Sequence, residues 1–120
     1  TLTRYFGAVR LVMGVMERMR EQGSGHIVNI SSEASKRYYE AYGAYTLSKA
    51  ALNAIARSLA ADLPFPVTLV HPGYVRTRMT GEQGEITPEE AAASLSELID
   101  RIDDSMSARF YDRHGQELPW

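Results

Sequence analysis

The chain has 120 residues, which fits one compact domain and excludes a long multidomain enzyme. Hydrophobic residues make up 44% and charged residues 23%, an ordinary globular mixture that argues against disorder. With a formal net charge of −2, the chain lacks the basic surplus that nucleic acid or an anionic membrane would attract, so we expect neither as a partner. It has no cysteine, which excludes disulfides and thiolate chemistry and suits a cytoplasmic protein.

The first predicted helix spans about residues 3–21 and has two apolar faces. One face carries Phe6, Val9, Met13 and Met16, and the other carries Leu11, Val12, Val15 and Met19. Two such faces predict burial on two sides, with a soft methionine-rich binding surface as the alternative. Because Thr1 already begins this helical pattern, we expect the natural protein to extend further upstream.

Residues 26–31 form a short run with β-branched residues and little alternation, which is typical of a strand buried on both faces of a parallel sheet. A polar loop follows, and an alanine-rich helix is predicted from about residue 41 to about residue 63. Residues 67–70 form a second buried strand. Strand, helix and strand make one βαβ unit, for which a right-handed crossover is expected.

The last third of the chain begins with a polar loop over residues 76–86 and a third helix after it. Thr87, Pro88 and Glu90 predict the start of that helix, with a capping box between the threonine and the glutamate. Residues 108–111 are predicted as a last strand, followed by a turn and a tail. The alternation of helices and strands predicts an α/β fold with a parallel sheet of about three strands, as a single domain over residues 1–120.

Tyr45 and Lys49 are four residues apart, so they share one face at the start of the second predicted helix. A phenol ordinarily titrates near pH 10, too high for a base at neutral pH. An ammonium one turn away, together with the partial positive charge of a helix N-terminus, favours the phenolate. Taken alone, however, this spacing most often belongs to two solvated side chains.

Ser32 follows the first predicted strand, at the edge where open α/β sheets bind ligands. A hydroxyl there can donate a hydrogen bond to a substrate oxygen while the phenol exchanges a proton with it. Pro72 and Gly73 close the second strand at the same edge, and Thr77 follows four residues after the glycine. The alternatives are a capping serine and an ordinary proline–glycine turn.

Three segments of the sequence resemble the short-chain dehydrogenase/reductase family in their order and spacing. They are Ile27-Val28-Asn29-Ile30-Ser31-Ser32, Tyr45-Thr46-Leu47-Ser48-Lys49-Ala50 and His71-Pro72-Gly73-Tyr74-Val75-Arg76-Thr77. Tyr45 lies 13 positions after Ser32, which matches the family's usual distance between its catalytic serine and tyrosine. The ending Gly115-Gln116-Glu117-Leu118-Pro119-Trp120 also resembles family C-termini.

The resemblance implies an oxidoreductase that transfers a hydride between NAD or NADP and a carbonyl or alcohol substrate. It implies that Tyr45 is the general acid/base, that Ser32 orients the substrate oxygen, and that Lys49 binds the cofactor ribose beside the phenol. The resemblance also assigns cofactor binding to Tyr45, and it assigns contact with the nicotinamide to Pro72, Gly73, Val75 and Thr77. It also implies a Rossmann-like, doubly wound fold and a homo-dimer or homo-tetramer.

The chain departs from the family pattern in two places. Arg4 precedes Gly7 where the family's first helix usually carries an asparagine. The glycine-rich phosphate turn and the half-domain that carries it are missing, because no Gly-x-x-x-Gly-x-Gly follows a predicted strand. We therefore expect a partial Rossmann-like domain, the C-terminal portion of such an enzyme, which holds only the nicotinamide end of a dinucleotide and does not bind it at micromolar concentration by itself.

Two further interpretations remain open. A non-catalytic half-domain that acts in association is the alternative function, since the strand at residues 26–31 would have an unpaired edge. Tyr38, Tyr39 and Tyr42 either line a substrate pocket or are exposed loop aromatics. His26, His71 and His114 are scattered without metal-ligand spacing, so no metal site is predicted.

Overall fold

The structure is a computed structural model that describes residues 2–32 and 43–120, and the side chains of residues 6–32 and 43–120. The side chain of Arg4 and the tyrosines at positions 38, 39 and 42 lie outside the described residues. The elements in chain order are α1 (Leu2–Gln22), β1 (Ile27–Ile30), α2 (Gly43–Asp62), β2 (Val67–His71), α3 (Pro88–Ile99), β3 (Phe110–Asp112) and β4 (Glu117–Leu118). Short 3-10 turns lie at Arg78–Thr80 and Asp104–Met106.

The four strands form one open sheet in the order β1-β2-β3-β4. β1 pairs with β2 and β2 with β3 in parallel, whereas β3 pairs with β4 antiparallel. The predicted α/β fold with a parallel sheet is therefore confirmed. The described residues contain one strand beyond the three seen in the sequence, because β4 has two residues, too few to show a hydrophobic period.

Helices cover the sheet on both faces. On one face, Val67, Leu69 and Phe110 form a buried cluster against α1 and α2, with Ala56 of α2 fully buried among them. On the other face, alternate residues of the same strands, including Val70, pack against Leu98 of α3. All of β2 except its last residue is buried, which explains the continuous apolar run in its sequence.

Helix α1 is covered along one stripe that does not coincide with either predicted apolar face, since Met16 of one face and Met19 of the other are both half-buried. Val12 and Met19 pack against the core, whereas the side chains of Leu11 and Met13 are 72% and 68% exposed. The prediction of burial on two sides is therefore not met by the described residues. Within residues 2–32 and 43–120, the outer side of this helix is not covered by a further element.

Helix α3 begins as predicted. The amide of Glu90 donates to the Thr87 hydroxyl at 3.2 Å, and the amide of Thr87 donates to the Glu90 carboxylate at 2.8 Å. Pro88 occupies the first turn, where its missing N–H leaves no hydrogen bond unmade. The capping box is confirmed.

The C-terminal residue is packed against the sheet and α2. The ring of Trp120 lies 6.3 Å from the ring of Phe110, and the Arg57 guanidinium lies 4.7 Å from the Trp120 ring centroid. Both distances are within the range of favourable aromatic and cation–π contacts. Because Trp120 is the only tryptophan, its fluorescence reports on the packing of this part of the domain.

His26 lies at the edge of the sheet where the parallel strands begin, directly before β1. The fully buried Thr68 hydroxyl donates to the Met106 carbonyl at 3.1 Å, so His26 Nε2–H donates to Thr68 Oγ1 at 3.0 Å. Burial lowers the pKa of His26 below its usual value near 6.5, and the nearby carboxylates of Asp104 and Asp103 only partly offset this effect. The folded protein therefore favours neutral His26.

We expect this histidine to make stability depend on pH. Because its pKa is lower in the folded than in the unfolded chain, its contribution is present above about pH 6.5 and is lost as the pH falls below that value. His26→Gln keeps an N–H donor and does not titrate, so its free energy of unfolding should change less between about pH 8 and about pH 5.5 than that of the wild type. Denaturant unfolding at several pH values measures this difference.

The exposed His114 provides the control. His114→Gln should retain the pH dependence of the wild type. Identical pH dependence in His26→Gln and the wild type would contradict the attribution of the pH-dependent stability to His26.

Candidate active site

Parallel pairing brings the predicted site residues to one edge of the sheet. Ile30 of β1 lies beside Val70 of β2, so the two strands end together. Ser32 follows β1 and is half-buried, and Pro72 follows β2 directly. Helix α2 begins at Gly43, so Tyr45 and Lys49 occupy its first two turns.

The Lys49 ammonium joins this helix to the end of β1. Its Nζ donates to the Ile30 carbonyl at 2.8 Å and lies 5.7 Å from the centroid of the Tyr45 ring. The shared helix face predicted from the spacing of Tyr45 and Lys49 is thus a real contact between cation and ring. It places a positive charge at the carboxyl edge of the sheet, next to the phenol.

Sequence reasoning missed a buried polar pair beside this contact. Ser31 is 2% and Asn53 8% exposed, and the Ser31 hydroxyl donates to Asn53 Oδ1. The Ser31 amide also donates to the Val70 carbonyl at 2.8 Å. The available signal was an asparagine within the otherwise apolar inner face of α2, since a buried amide has to be paired.

The segment from Pro72 to Thr77 leaves β2 at the same edge. Gly73 has φ +93°, and a Cβ at that position would lie 3.2 Å from Ile86 Cδ1. Val75 forms a parallel bridge with Ile86. The Thr77 amide donates to the Thr80 hydroxyl at 2.9 Å, which starts the short 3-10 turn. These contacts fix the backbone of the segment that was predicted to face a nicotinamide.

The loop that follows is closed by main-chain hydrogen bonds. The Arg76 amide donates to the Ile86 carbonyl at 2.8 Å, and the Glu85 amide donates to the Tyr74 carbonyl at 2.9 Å. Gly84 lies so close to the other end of the loop that a Cβ there would be 2.4 Å from the Arg76 nitrogen. These hydrogen bonds therefore hold the two ends of the loop over residues 76–86 close together.

Metal centres and membrane spans are two other classes of feature that bear on function. Within residues 2–32 and 43–120, no three histidine or acidic side chains lie close enough together to bind a metal ion. In the same ranges, no helix combines the length and the apolarity that crossing a bilayer requires.

Residues 2–87 match the short chain dehydrogenase family, a stretch that contains Ser32, Tyr45, Lys49 and the Pro72–Thr77 segment. The chain belongs to the short-chain dehydrogenase family. The family resemblance and the Rossmann-like fold class are thereby confirmed.

Curated relatives and solved structures agree with this assignment. C-signal of Myxococcus xanthus is 30% identical over 120 residues, which cover 95% of this chain and 72% of C-signal. A carbonyl reductase of Pseudomonas aeruginosa PAO1 in complex with NADP is 34% identical, with a TM-score of 0.71 over 96% of this chain and 52% of that chain. Carbonyl reductase Sniffer of D. melanogaster is 27% identical, with a TM-score of 0.74 over 80% and 41%. The chain thus spans about half the length of these solved reductases.

The backbone at Gly73 can be tested by adding a methyl group. A side chain at φ +93° is strained and meets Ile86, so Gly73→Ala should lower the free energy of unfolding by about 1–3 kcal/mol. Gly14→Ala is the matched control, because this helical glycine has open space around it. The control should raise the free energy of unfolding by about 0.5–1 kcal/mol. Equal effects of the two substitutions in denaturant unfolding would show that the backbone at Gly73 is not constrained.

Proposed function

We propose that the protein that carries this chain is a nicotinamide-dependent oxidoreductase that interconverts a carbonyl compound and an alcohol. The observation that carries the proposal is the Lys49 ammonium, which lies beside the Tyr45 ring at the carboxyl edge of the sheet. Family membership and the similarity to two carbonyl reductases support it. The lack of cysteine favours a cytoplasmic location.

The residues present fit one end of a dinucleotide. The Lys49 ammonium and the Thr77 hydroxyl are polar groups suited to ribose and carboxamide, and Gly73 lets the backbone turn between the strand and this segment. Phosphates need a different structure, a glycine-rich turn at a helix N-terminus, and the sequence does not contain that motif. We therefore propose that Lys49, Pro72, Gly73, Val75 and Thr77 hold the nicotinamide end of NAD or NADP.

In the proposed mechanism, each side chain acts on the substrate oxygen or on the phenol. When bound, the nicotinamide supplies a hydride to the carbonyl carbon in reduction or accepts one in oxidation. In reduction, the Tyr45 hydroxyl gives its proton to the carbonyl oxygen, and the Ser32 hydroxyl donates a hydrogen bond to that oxygen. Lys49 stabilises the phenolate that remains. Oxidation of the alcohol reverses the proton transfer.

Removing one phenol hydroxyl tests this mechanism. In the product of the full reading frame, Tyr45→Phe should lower kcat by about 100-fold or more while it changes the dissociation constant of the cofactor little, because only the proton donor is lost. The control is Tyr111→Phe, which removes a phenol hydroxyl from a buried position in β3 and should have the turnover of the wild type. The measurement is cofactor absorbance with a panel of carbonyls and alcohols. Retained turnover in Tyr45→Phe would place the proton donor elsewhere.

We also propose that the chain associates with copies of itself. Large apolar side chains are unusually exposed on the two helices that cover one face, with Leu11 of α1 72% and Leu47 of α2 71% exposed. Among the described strands, β1 has a neighbour on one side only. An association role without catalysis is the second candidate function, and these two observations favour it.

A charge on the outer face of α1 tests the association. If this face is an interface, the wild-type chain sediments as a dimer or tetramer, and Leu11→Glu shifts it towards monomer, since burying an unpaired carboxylate is costly. Met79→Glu adds the same charge to an exposed apolar position in the 3-10 turn and should leave the sedimentation unchanged. A monomeric wild-type chain would contradict the proposal.

A further inference from the structure

The end of β1 is tied to α2 through a buried side-chain hydrogen bond that the proposed mechanism does not use. Ser31 and Asn53 are both buried, and the serine hydroxyl donates to the amide oxygen. A buried hydrogen bond between two polar side chains contributes more to the free energy of unfolding than an exposed one. The surrounding dielectric is low, and leaving one buried partner unpaired is costly. The pair therefore fixes the relative position of a strand end and a helix.

Asn53 continues the row of residues that forms the candidate site. It lies four residues after Lys49 and eight after Tyr45, so the three follow one another along one side of α2. Lys49 contacts the carbonyl of Ile30, and Asn53 contacts the side chain of Ser31. Two successive turns of the helix thus hold two successive residues of the chain that leads into Ser32.

Ser31 is also bonded to β2 through its main chain. The Ser31 amide donates to the Val70 carbonyl at 2.8 Å, which is the last bond before the chain reaches Ser32. The bond to β2 sets the position of Ser31 within the sheet, and the bond to Asn53 sets its position relative to the helix. Since Tyr45 stands on that helix, the distance between Ser32 and Tyr45 depends on the second bond.

Lys49 cannot supply this tie by itself. Its bond to Ile30 joins a flexible side chain to a carbonyl at the surface, and the proposed function gives the same ammonium to the cofactor and the phenol. The Ser31–Asn53 bond is buried and makes no contact with a ligand in that proposal, so it stays in place throughout the reaction.

We propose that Asn53 is a positioning residue that sets the place of Ser32 relative to Tyr45 by holding the hydroxyl of Ser31. The inference rests on the proposed function, since Ser32 has a substrate to orient only if the protein is an oxidoreductase. A displacement of about 1 Å at a reacting group can cost 10²-fold in rate, which sets the scale of the expected effect. Asn53 itself touches no reacting atom in this scheme.

The central test compares Asn53→Leu with a matched control in the product of the full reading frame. Asn53→Leu should lower kcat by about 10- to 100-fold and change the cofactor dissociation constant less than about twofold, because Lys49 and the Pro72–Thr77 segment are untouched. Thr68→Val removes another buried hydroxyl bond, at the opposite edge of the sheet, and should keep the wild-type kcat. Trp120 fluorescence verifies that each variant is folded.

A double-mutant cycle separates positioning from plain loss of stability. If Asn53 acts through Ser32, Ser32→Ala combined with Asn53→Leu should have about the same kcat as Ser32→Ala alone. Ser31→Ala combined with Asn53→Leu removes both partners of the buried bond, so it should unfold near the wild-type denaturant concentration and still have the low kcat. Additive losses in the first pair, or full recovery of kcat in the second, would overturn the proposal.

A readout independent of turnover accompanies these rates. Amide exchange at Ser31 should quicken by about tenfold or more in Asn53→Leu and stay unchanged in Thr68→Val, because the strand end then opens locally. Unchanged exchange at Ser31 would overturn the proposal. If Tyr45→Phe and Ser32→Ala lose turnover while Asn53→Leu matches Thr68→Val, only the positioning role fails. An inactive wild-type protein, or an active Tyr45→Phe, overturns the proposed function and the role of Asn53 with it.

Discussion

The candidate site depends on the parallel pairing of β1 and β2. Two parallel strands joined by a helix end at the same edge, so the residues that follow each strand meet there, together with the first turns of the connecting helix. This geometry brings Ser32, Pro72 and the pair of Tyr45 and Lys49 to the same edge of the sheet although they are far apart in sequence. The buried core of β2 makes the pairing rigid, since its side chains are covered from both faces.

Features with a local cause could be predicted from the sequence. The common face of Tyr45 and Lys49 follows from the pitch of a helix, and the start of α3 follows from Thr87, Pro88 and Glu90 within one turn. The buried β2 could be recognised because an uninterrupted run of apolar and β-branched residues is typical of a strand covered on both faces of a parallel sheet. In each case, the residues that determine the feature are neighbours along the chain.

Features that depend on distant residues could not be predicted. The bond between Ser31 and Asn53 joins positions 22 residues apart, and the sequence does not show which polar side chain will meet which. Strand β4 exists only because a turn returns two residues to β3. The covered side of α1 also depends on its neighbours, since its apolar residues suit either face equally well. The roles of Ser32, Tyr45 and Lys49 depend on a bound substrate, which neither sequence nor fold contains.

The main-chain bonds that close the loop over residues 76–86 affect which of its side chains can change during evolution. Main-chain groups of Tyr74, Arg76, Glu85 and Ile86 close its base, and main-chain bonds are indifferent to side-chain identity. Most positions between them can therefore mutate while both ends stay anchored beside the candidate site. Gly84 is an exception, because any larger residue would collide with the backbone at Arg76. Thr77 and Thr80 are further exceptions, because the Thr80 hydroxyl accepts from the Thr77 amide and the proposed function uses Thr77. Side chains in such a loop can be exchanged at little cost to the stability of the scaffold, and under the proposed function that exchange would change the substrate preference.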